Sequence, residues 1–139
     1  MRSLGMDLGT KTLGLAISDK EGLISSPYGV FRFNDINDAV SRVKEICDKE
    51  EVDNLVLGLP KNMNNSLGFA AERSLNFKDL LEKEINKEVI LIDERLSTVE
   101  AENILIDAGT SRRNRKKVID GMAASIILDT YLRKNKKED

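Results

Sequence analysis

Three carboxylates stand at positions where the surrounding sequence pattern disfavours an acidic side chain. Asp7 interrupts an alternating, strand-like run, and aspartate is unfavourable inside strands. Glu94 follows an apolar run over residues 89–92, at the carboxyl end of a predicted buried strand, where open α/β sheets place their ligands. Asp120 begins a helical stripe that continues with Ala124 and Ile127. A carboxylate on such a stripe costs several kcal/mol unless a metal ion or a close basic partner compensates it.

Each carboxylate also has a purely structural interpretation. Asp7 precedes a glycine-containing turn and could start it by accepting hydrogen bonds from the turn backbone. Glu94 could lie in a solvated loop with Arg95 as its counter-ion. Asp120 could be stabilised by the positive end of a helix, although that interaction contributes only about 0.3–1 kcal/mol. Because side chains alternate along a strand, at most one of Asp93 and Glu94 faces the same site as Asp7.

The amino-acid counts decide which chemistry these carboxylates could perform. The chain has no histidine and one cysteine, which excludes a Ser-His-Asp triad, a Cys-His nucleophile and a histidine-ligated zinc site. Oxygen-only ligands suit Mg²⁺ or Mn²⁺, which bind through a few carboxylates, waters and substrate phosphates. Two such ions about 3.5–4 Å apart can hydrolyse a phosphodiester without any histidine. The composition is therefore compatible with a two-metal nuclease.

A run of cations precedes Asp120. Residues 111–117 hold five basic side chains in seven positions and no acid. Such a segment would flank a site at Asp120 and bind phosphates in a strongly salt-dependent manner. A solvated loop is the alternative interpretation. The predicted nucleic-acid-binding residues are this segment and three cations elsewhere in the chain: Arg112, Arg113, Arg115, Lys116, Lys117, Lys11, Lys61 and Arg95.

The hydrophobic pattern predicts the elements that would position these residues. Period-two alternation predicts a three-stranded meander at the start of the chain, followed by a helix, a buried strand, a helix, a second buried strand and two further helices. The third strand is predicted to follow Pro27, and Cys47 lies on an apolar helical stripe, which favours a core position. With 139 residues and no linker, a single domain over 1–139 is expected. A chain that is 40% hydrophobic and 33% charged, without a membrane span or a signal-peptide core, is expected to be cytoplasmic with a reduced thiol.

Several of these segments together resemble the YqgF/RuvX family. The resemblance covers nearly the whole chain, and its motifs are MDLGTK at residues 6–11, GLAISD at 14–19, GLP at 58–60, DERLST at 93–98 and IDGMAA at 119–124. It implies an α/β, ribonuclease H-like fold, in which a mixed five-stranded sheet, made of a three-stranded antiparallel meander plus two parallel strands, is flanked by helices. It also implies that Asp7, Glu94 and Asp120 are the catalytic and metal-binding residues, with Mg²⁺ or Mn²⁺ as cofactor. The loop after Pro60 departs from the family pattern, since Asn65 stands where members often have glycine.

The resemblance leads to a specific expectation of function. We expect a metal-dependent endonuclease that matures the 5′ end of precursor 16S rRNA, associates with the ribosome or pre-ribosome and acts as a monomer or weak homodimer. Resolution of four-way Holliday junctions in DNA is one alternative, and a non-catalytic nucleic-acid-binding module of the same fold is another. A phosphotransferase is less favoured, because the actin-like kinases that share the Asp-Leu-Gly-Thr sequence need two such domains.

Overall fold

The chain opens with three consecutive antiparallel strands. The computed structural model describes residues 1–60, 68–93 and 122–134. Its first three elements are β1 (Ser3–Leu8), β2 (Thr12–Ser18) and β3 (Ser25–Arg32). Each strand pairs with the next, so the predicted meander is confirmed. The third strand begins two residues before Pro27, and a register shift follows Leu15 of β2. Proline is tolerated there because β3 lies at the edge of the sheet.

The second part of the chain adds helices and two parallel strands. In order these are α1 (Ile36–Glu50), β4 (Asn54–Leu59), α2 (Phe69–Ile85), β5 (Val89–Asp93) and a helix over 122–134, here called α3. The sheet order is β3-β2-β1-β4-β5, with β4 parallel to β1 and β5 parallel to β4. The mixed five-stranded sheet with flanking helices is therefore as expected. Of the loop predicted over Lys61 to Gly68, only Gly68 is described, and the first of the two helices predicted after the second buried strand lies outside the described residues.

Strand alternation gives the sheet two buried faces. The first face packs against α1 and α2, and its core includes Leu4, Met6, Leu13, Leu57, Val43 and Phe77. The second face packs against α3, and its core includes Ala16, Val56, Ile92, Ala124, Ile127 and Leu128. β1 contributes to both, since Leu4 and Met6 are fully buried on the first face and Gly5 lies under α3 on the second. The central strand thus holds the two layers of helices together.

All three described helices run antiparallel to β1. The end of α1 lies beside the start of β1, where Arg2 Nη1 donates to the Glu50 carbonyl at 2.8 Å. The helix α2 joins the parallel strands β4 and β5. The C-terminal part of α3 lies near the start of β1, since a Cβ on Gly22 would be 3.2 Å from the Met1 carbonyl and 4.0 Å from Leu132. The N-terminal ends of the three helices therefore point toward the edge of the sheet where β1, β4 and β5 end, here called the carboxyl edge.

Two apolar residues, one in α1 and one in α2, differ in burial. Cys47 is buried in α1, as its apolar stripe predicts, and burial raises the pKa of its thiol to about 11. A thiol with that pKa is protonated near neutral pH, so it is unsuited to nucleophilic chemistry. Phe69 has the spacing of the apolar stripe of α2, but it is 87% exposed at the first position of the helix. Among the described helices, none combines the length and apolarity needed to cross a membrane.

The contact between β1 and α3 predicts the effect of a single methyl group. A Cβ at position 5 would lie 2.7 Å from Leu128 Cβ and 2.8 Å from the Ala124 carbonyl oxygen. Because one of these atoms is backbone, α3 would have to shift. We expect Gly5→Ala to lower the free energy of unfolding by about 1–3 kcal/mol, as overpacked cores do. Urea unfolding measures this loss, with Ser26→Ala at an exposed position of β3 as the control. Equal stability of both variants would contradict the close packing of α3 on β1.

A carboxylate at the end of α2 predicts a pH dependence of stability. Glu82 accepts hydrogen bonds from the Val89 backbone and from Lys78, each at 3.0 Å, and these hold the pKa of its carboxyl below the usual 4.5. A lowered pKa stabilises the fold above pH 4.5, and this contribution is lost as the pH falls through the folded-state pKa. As the pH is lowered from 4.5 through this pKa, we expect the free energy of unfolding to fall less steeply in Glu82→Gln than in the wild type. Glu84→Gln, at an exposed position of the same helix, should keep the wild-type slope.

Candidate active site

Asp7 lies at the carboxyl edge of the central strand. It is the next-to-last residue of β1 and is half-buried. Its partner across the antiparallel pair is Gly14 of β2. On the other side Met6 pairs with Leu57, and continuing that register by one residue sets Gly58 of β4 beside Asp7. Glycine has no side chain, so no side chain at either neighbouring position fills the space beside the Asp7 carboxylate. A ligand can therefore approach the carboxylate on that face.

The face on which Asp7 lies follows from strand alternation. Leu8 belongs to the core of the first face, and Gly5, two residues before Asp7, touches α3 on the second. Asp7 therefore lies on the α3 face, about 6–7 Å beyond Gly5 at the usual rise of a strand. This is also the direction in which the N-terminal end of α3 points.

The turn after β1 closes without Asp7. The Gly9 amide donates to the Thr12 carbonyl at 2.7 Å, which is a backbone-to-backbone bond. Among the described residues, Asp7 has no hydrogen-bond or ion-pair partner. The alternative in which this aspartate serves to start the turn therefore loses its support. A half-buried carboxylate without a partner in the described part of the chain is instead suited to an external cation.

Asp93 lies on the opposite face. It pairs with Leu59 at the end of β5, and Leu91, two residues earlier, packs against the core of the first face. Asp93 therefore points to the side of α1 and α2, away from Asp7.

Lys11 is the other member of the predicted set that the structure describes. It is exposed in the turn between β1 and β2, and its carbonyl accepts a hydrogen bond from the Phe33 amide at 2.9 Å. That bond ties the turn to the end of β3, so Lys11 stays at the carboxyl edge with Asp7. The remaining predicted site residues lie outside the described residues: Glu94, Asp120, Lys61, Arg95, Arg112, Arg113, Arg115, Lys116 and Lys117. Within the described part of the chain, no three acidic or cysteine side chains form a metal-binding cluster.

Two features of this edge were not predicted from the sequence. Arg32 is exposed at the end of β3 and pairs with Thr12, directly beside Lys11. Its alternation with Phe31 and Phe33 was a signal that could have identified it. The second feature is that the N-termini of α1 and α2, each equivalent to about half a positive charge, lie at the same edge. Both features make the surroundings of Asp7 favourable for phosphate groups.

The fold defines the class of protein. A mixed sheet of three antiparallel and two parallel strands, flanked by helices, is the ribonuclease H-like arrangement. The structure is similar to that of T. thermophilus RuvC in complex with a Holliday junction substrate, with a TM-score of 0.62 and 17% identity over 97% of this chain and 96% of that one. It is also similar to the fowlpox virus Holliday junction resolvase, with a TM-score of 0.54, 15% identity and coverage of 96% and 99%. At these identities the likeness establishes the fold.

Sequence similarity identifies the family. The chain belongs to the RuvX family, whose model is described as "Holliday junction resolvase" and matches residues 1–134. A protein of Geobacillus sp. named "Putative pre-16S rRNA nuclease" is 50% identical over 134 residues, covering 95% of this chain and 97% of its own. A protein of Clostridium acetobutylicum with the same name is 42% identical over 132 residues, covering 95% and 98%. The family resemblance found in the motifs is thus confirmed.

Proposed function

We propose that this chain is a metal-dependent endonuclease that hydrolyses phosphodiester bonds in structured nucleic acid, with the 5′ end of precursor 16S rRNA as its substrate. The observation that carries the proposal is Asp7, a half-buried carboxylate at the carboxyl edge, with no partner among the described residues and with a glycine beside it on each neighbouring strand. The substrate follows the names of the similar proteins from Geobacillus and Clostridium. Such an enzyme would act in the cytoplasm, on the ribosome or pre-ribosome, as a monomer or weak homodimer.

Asp7, Glu94 and Asp120 would together hold Mg²⁺ or Mn²⁺. Asp93 lies on the face opposite Asp7, and continued alternation would set Glu94 on the face that Asp7 occupies. Asp120 lies two positions before residue 122, the first described residue of α3, and the described helix runs away from the carboxyl edge from that residue onward. The donors are all oxygens, which suits these hard cations. When bound as a pair, the metals would activate the attacking water and stabilise the leaving oxygen.

The other residues of the chain would bind and orient the substrate. Lys11 and Arg32 lie at the same carboxyl edge as Asp7, where they would contact backbone phosphates of the substrate. We assign the same role to the basic segment 111–117, Lys61 and Arg95. Phosphate contacts fix the register of a nucleic acid without reading its sequence. Selection of the cleavage site would then depend on the shape of the RNA and on its unpaired nucleotides.

Holliday junction resolution is the second candidate function. It is favoured by the family description and by a fold like that of RuvC solved with a Holliday junction substrate. The same carboxylates would serve both reactions, because each is hydrolysis of a phosphodiester. Cleavage assays on precursor rRNA and on four-way DNA junctions, performed side by side, distinguish the two functions.

Loss of one carboxylate tests the site directly. We expect Asp7→Asn, Glu94→Gln and Asp120→Asn each to lower Mg²⁺-dependent cleavage of precursor 16S rRNA about a thousandfold, since metal-based charge stabilisation contributes several kcal/mol to the transition state. The melting temperature should not fall in Asp7→Asn, because the carboxylate has no partner among the described residues. Asp48→Asn, at an exposed position near the far end of α1, is the matched control. Full activity in Asp7→Asn and Asp120→Asn would refute the assignment.

The salt dependence of binding tests the basic segment. Each phosphate contact that is removed should reduce the slope of log affinity against log salt by about 0.7–0.9. We therefore expect Arg113→Gln and Lys116→Gln to weaken binding to precursor rRNA and to lower this slope in a filter-binding titration. Lys49→Gln, in the last turn of α1 at the opposite edge, should match the wild type. An unchanged slope in the first two variants would show that the segment is a solvated loop.

A further inference from the structure

A groove of about 380 Å³ lies between the end of β3 and the first half of α1. We propose that this β3–α1 groove binds an unpaired base of the nucleic-acid substrate, next to the site of cleavage. The inference rests on the proposed function, because it concerns how the same substrate continues beyond Asp7. The groove is lined in part by Phe31, Asn34, Ser41 and Arg42, all of which are described by the structure.

An aromatic ring and an arginine form the stacking surface of the groove. Phe31 is half-buried and packs against the core, so its ring is held in place. The guanidinium carbon of Arg42 lies 5.4 Å from the centroid of that ring. Unpaired bases stack on aromatic rings and on guanidinium planes in single-strand-binding proteins. Because the guanidinium lies over the ring, a base can stack on the outer side of Arg42, or on Phe31 once Arg42 moves aside.

Arg42 is available for such a contact. Its ion pair with Glu45 spans 3.4 Å, and the two side chains are 48% and 70% exposed. Exposed pairs of this kind contribute little to stability, so a ligand can displace the glutamate at small cost. Arg42 can then stack on a base or contact the adjacent phosphate while α1 stays unchanged.

The charge of the groove favours a base over an isolated phosphate. Its two arginines, Arg32 and Arg42, are balanced by Asp38 and Glu45, which gives the lining no net formal charge. Such a lining attracts a free anion weakly. The amide of Asn34 and the hydroxyl of Ser41 add hydrogen-bonding groups that can reach the edge of a base. The combination of an aromatic ring with neutral polar groups is therefore suited to the heterocycle itself.

The groove lies close to Asp7 through the strand register. Asp7 pairs with Gly14, and Gly14 pairs with Val30, so Asp7 and Val30 are two strand spacings apart, about 10 Å. Phe31 follows Val30 on the opposite face, and β3 is the edge of the described sheet. Val30 is 55% exposed on the Asp7 face. A single strand leaving Asp7 can therefore pass over Val30, around the edge beside Arg32, and place its next base against Phe31.

Binding of RNA with and without a single-stranded flank tests the proposal. The probes are two duplexes of the precursor 16S rRNA 5′ region, one blunt and one with a short unpaired flank, titrated in Mg²⁺ against protein carrying Asp7→Asn to prevent cleavage. We expect the flanked duplex to bind at least about tenfold more tightly, the effect of stacking one base. Adding Phe31→Leu or Arg42→Gln should abolish that preference. Two control variants should retain the preference. They are Tyr28→Leu, which changes a half-buried aromatic of the same strand outside the groove lining, and Lys49→Gln.

The outcomes separate the groove from the proposed function. The groove proposal is wrong if the preference for the flanked duplex persists in both Phe31→Leu and Arg42→Gln. It is also wrong if the protein carrying Asp7→Asn alone shows no such preference, even when precursor rRNA is cleaved by the wild type. If the preference depends on both residues but no nucleic acid is cleaved with Mg²⁺ or Mn²⁺, the groove stands and the nuclease proposal fails. Arg42→Gln is a surface substitution, so its result holds even if Phe31→Leu is poorly folded.

Discussion

The structure depends on burying β1 on both faces. Leu4 and Met6 are enclosed by α1 and α2, while Gly5 allows α3 to approach until Leu128 Cβ would lie 2.7 Å from an added methyl group. A strand enclosed in this way has little room for polar side chains. Such a side chain is best tolerated at the end of the strand. Asp7 occupies that end, where it is half-buried rather than enclosed. The same packing that stabilises the core therefore determines where a carboxylate can remain accessible.

The direction of the chain then determines the electrostatics around that carboxylate. The helices α1 and α2 each join two parallel strands, so both run antiparallel to β1 and their N-termini lie at the carboxyl edge. The proposed binding of a polyanion there rests on cations such as Lys11 and Arg32. A formal net charge of -2 for the whole chain is no obstacle, because the field at one edge is local. The opposite edge carries acidic residues such as Glu50 and Asp53, which bind Arg2.

The sequence predicts those parts of the structure whose pattern is carried by residues close together in the chain. The alternation in β1 and β2, the apolar stripe of α1 and the two buried strands each depend on a few neighbouring residues, and the motif resemblance supplied the topology. Two details were missed because they depend on tertiary packing. Phe69 has the right spacing for the apolar face of α2 but lies at its first position, where the helix extends past the core. The contact between Arg42 and Phe31 joins a helix to an edge strand, and nothing in the local sequence indicates it.

The same distinction applies to the carboxylates. Asp93 and Glu94 are adjacent, and sequence alone could say only that they face opposite ways; the register of β5 with β4 assigns Asp93 to the face away from Asp7. A chain without histidine must use oxygen ligands for metal-assisted hydrolysis, and such ligands need a face on which carboxylates converge. Among the described residues, the α3 face of the carboxyl edge combines a carboxylate that has no partner there with a glycine on each neighbouring strand. The absence of histidine is therefore consistent with a site in which geometry at one edge of the sheet, rather than a titrating imidazole, provides the chemistry.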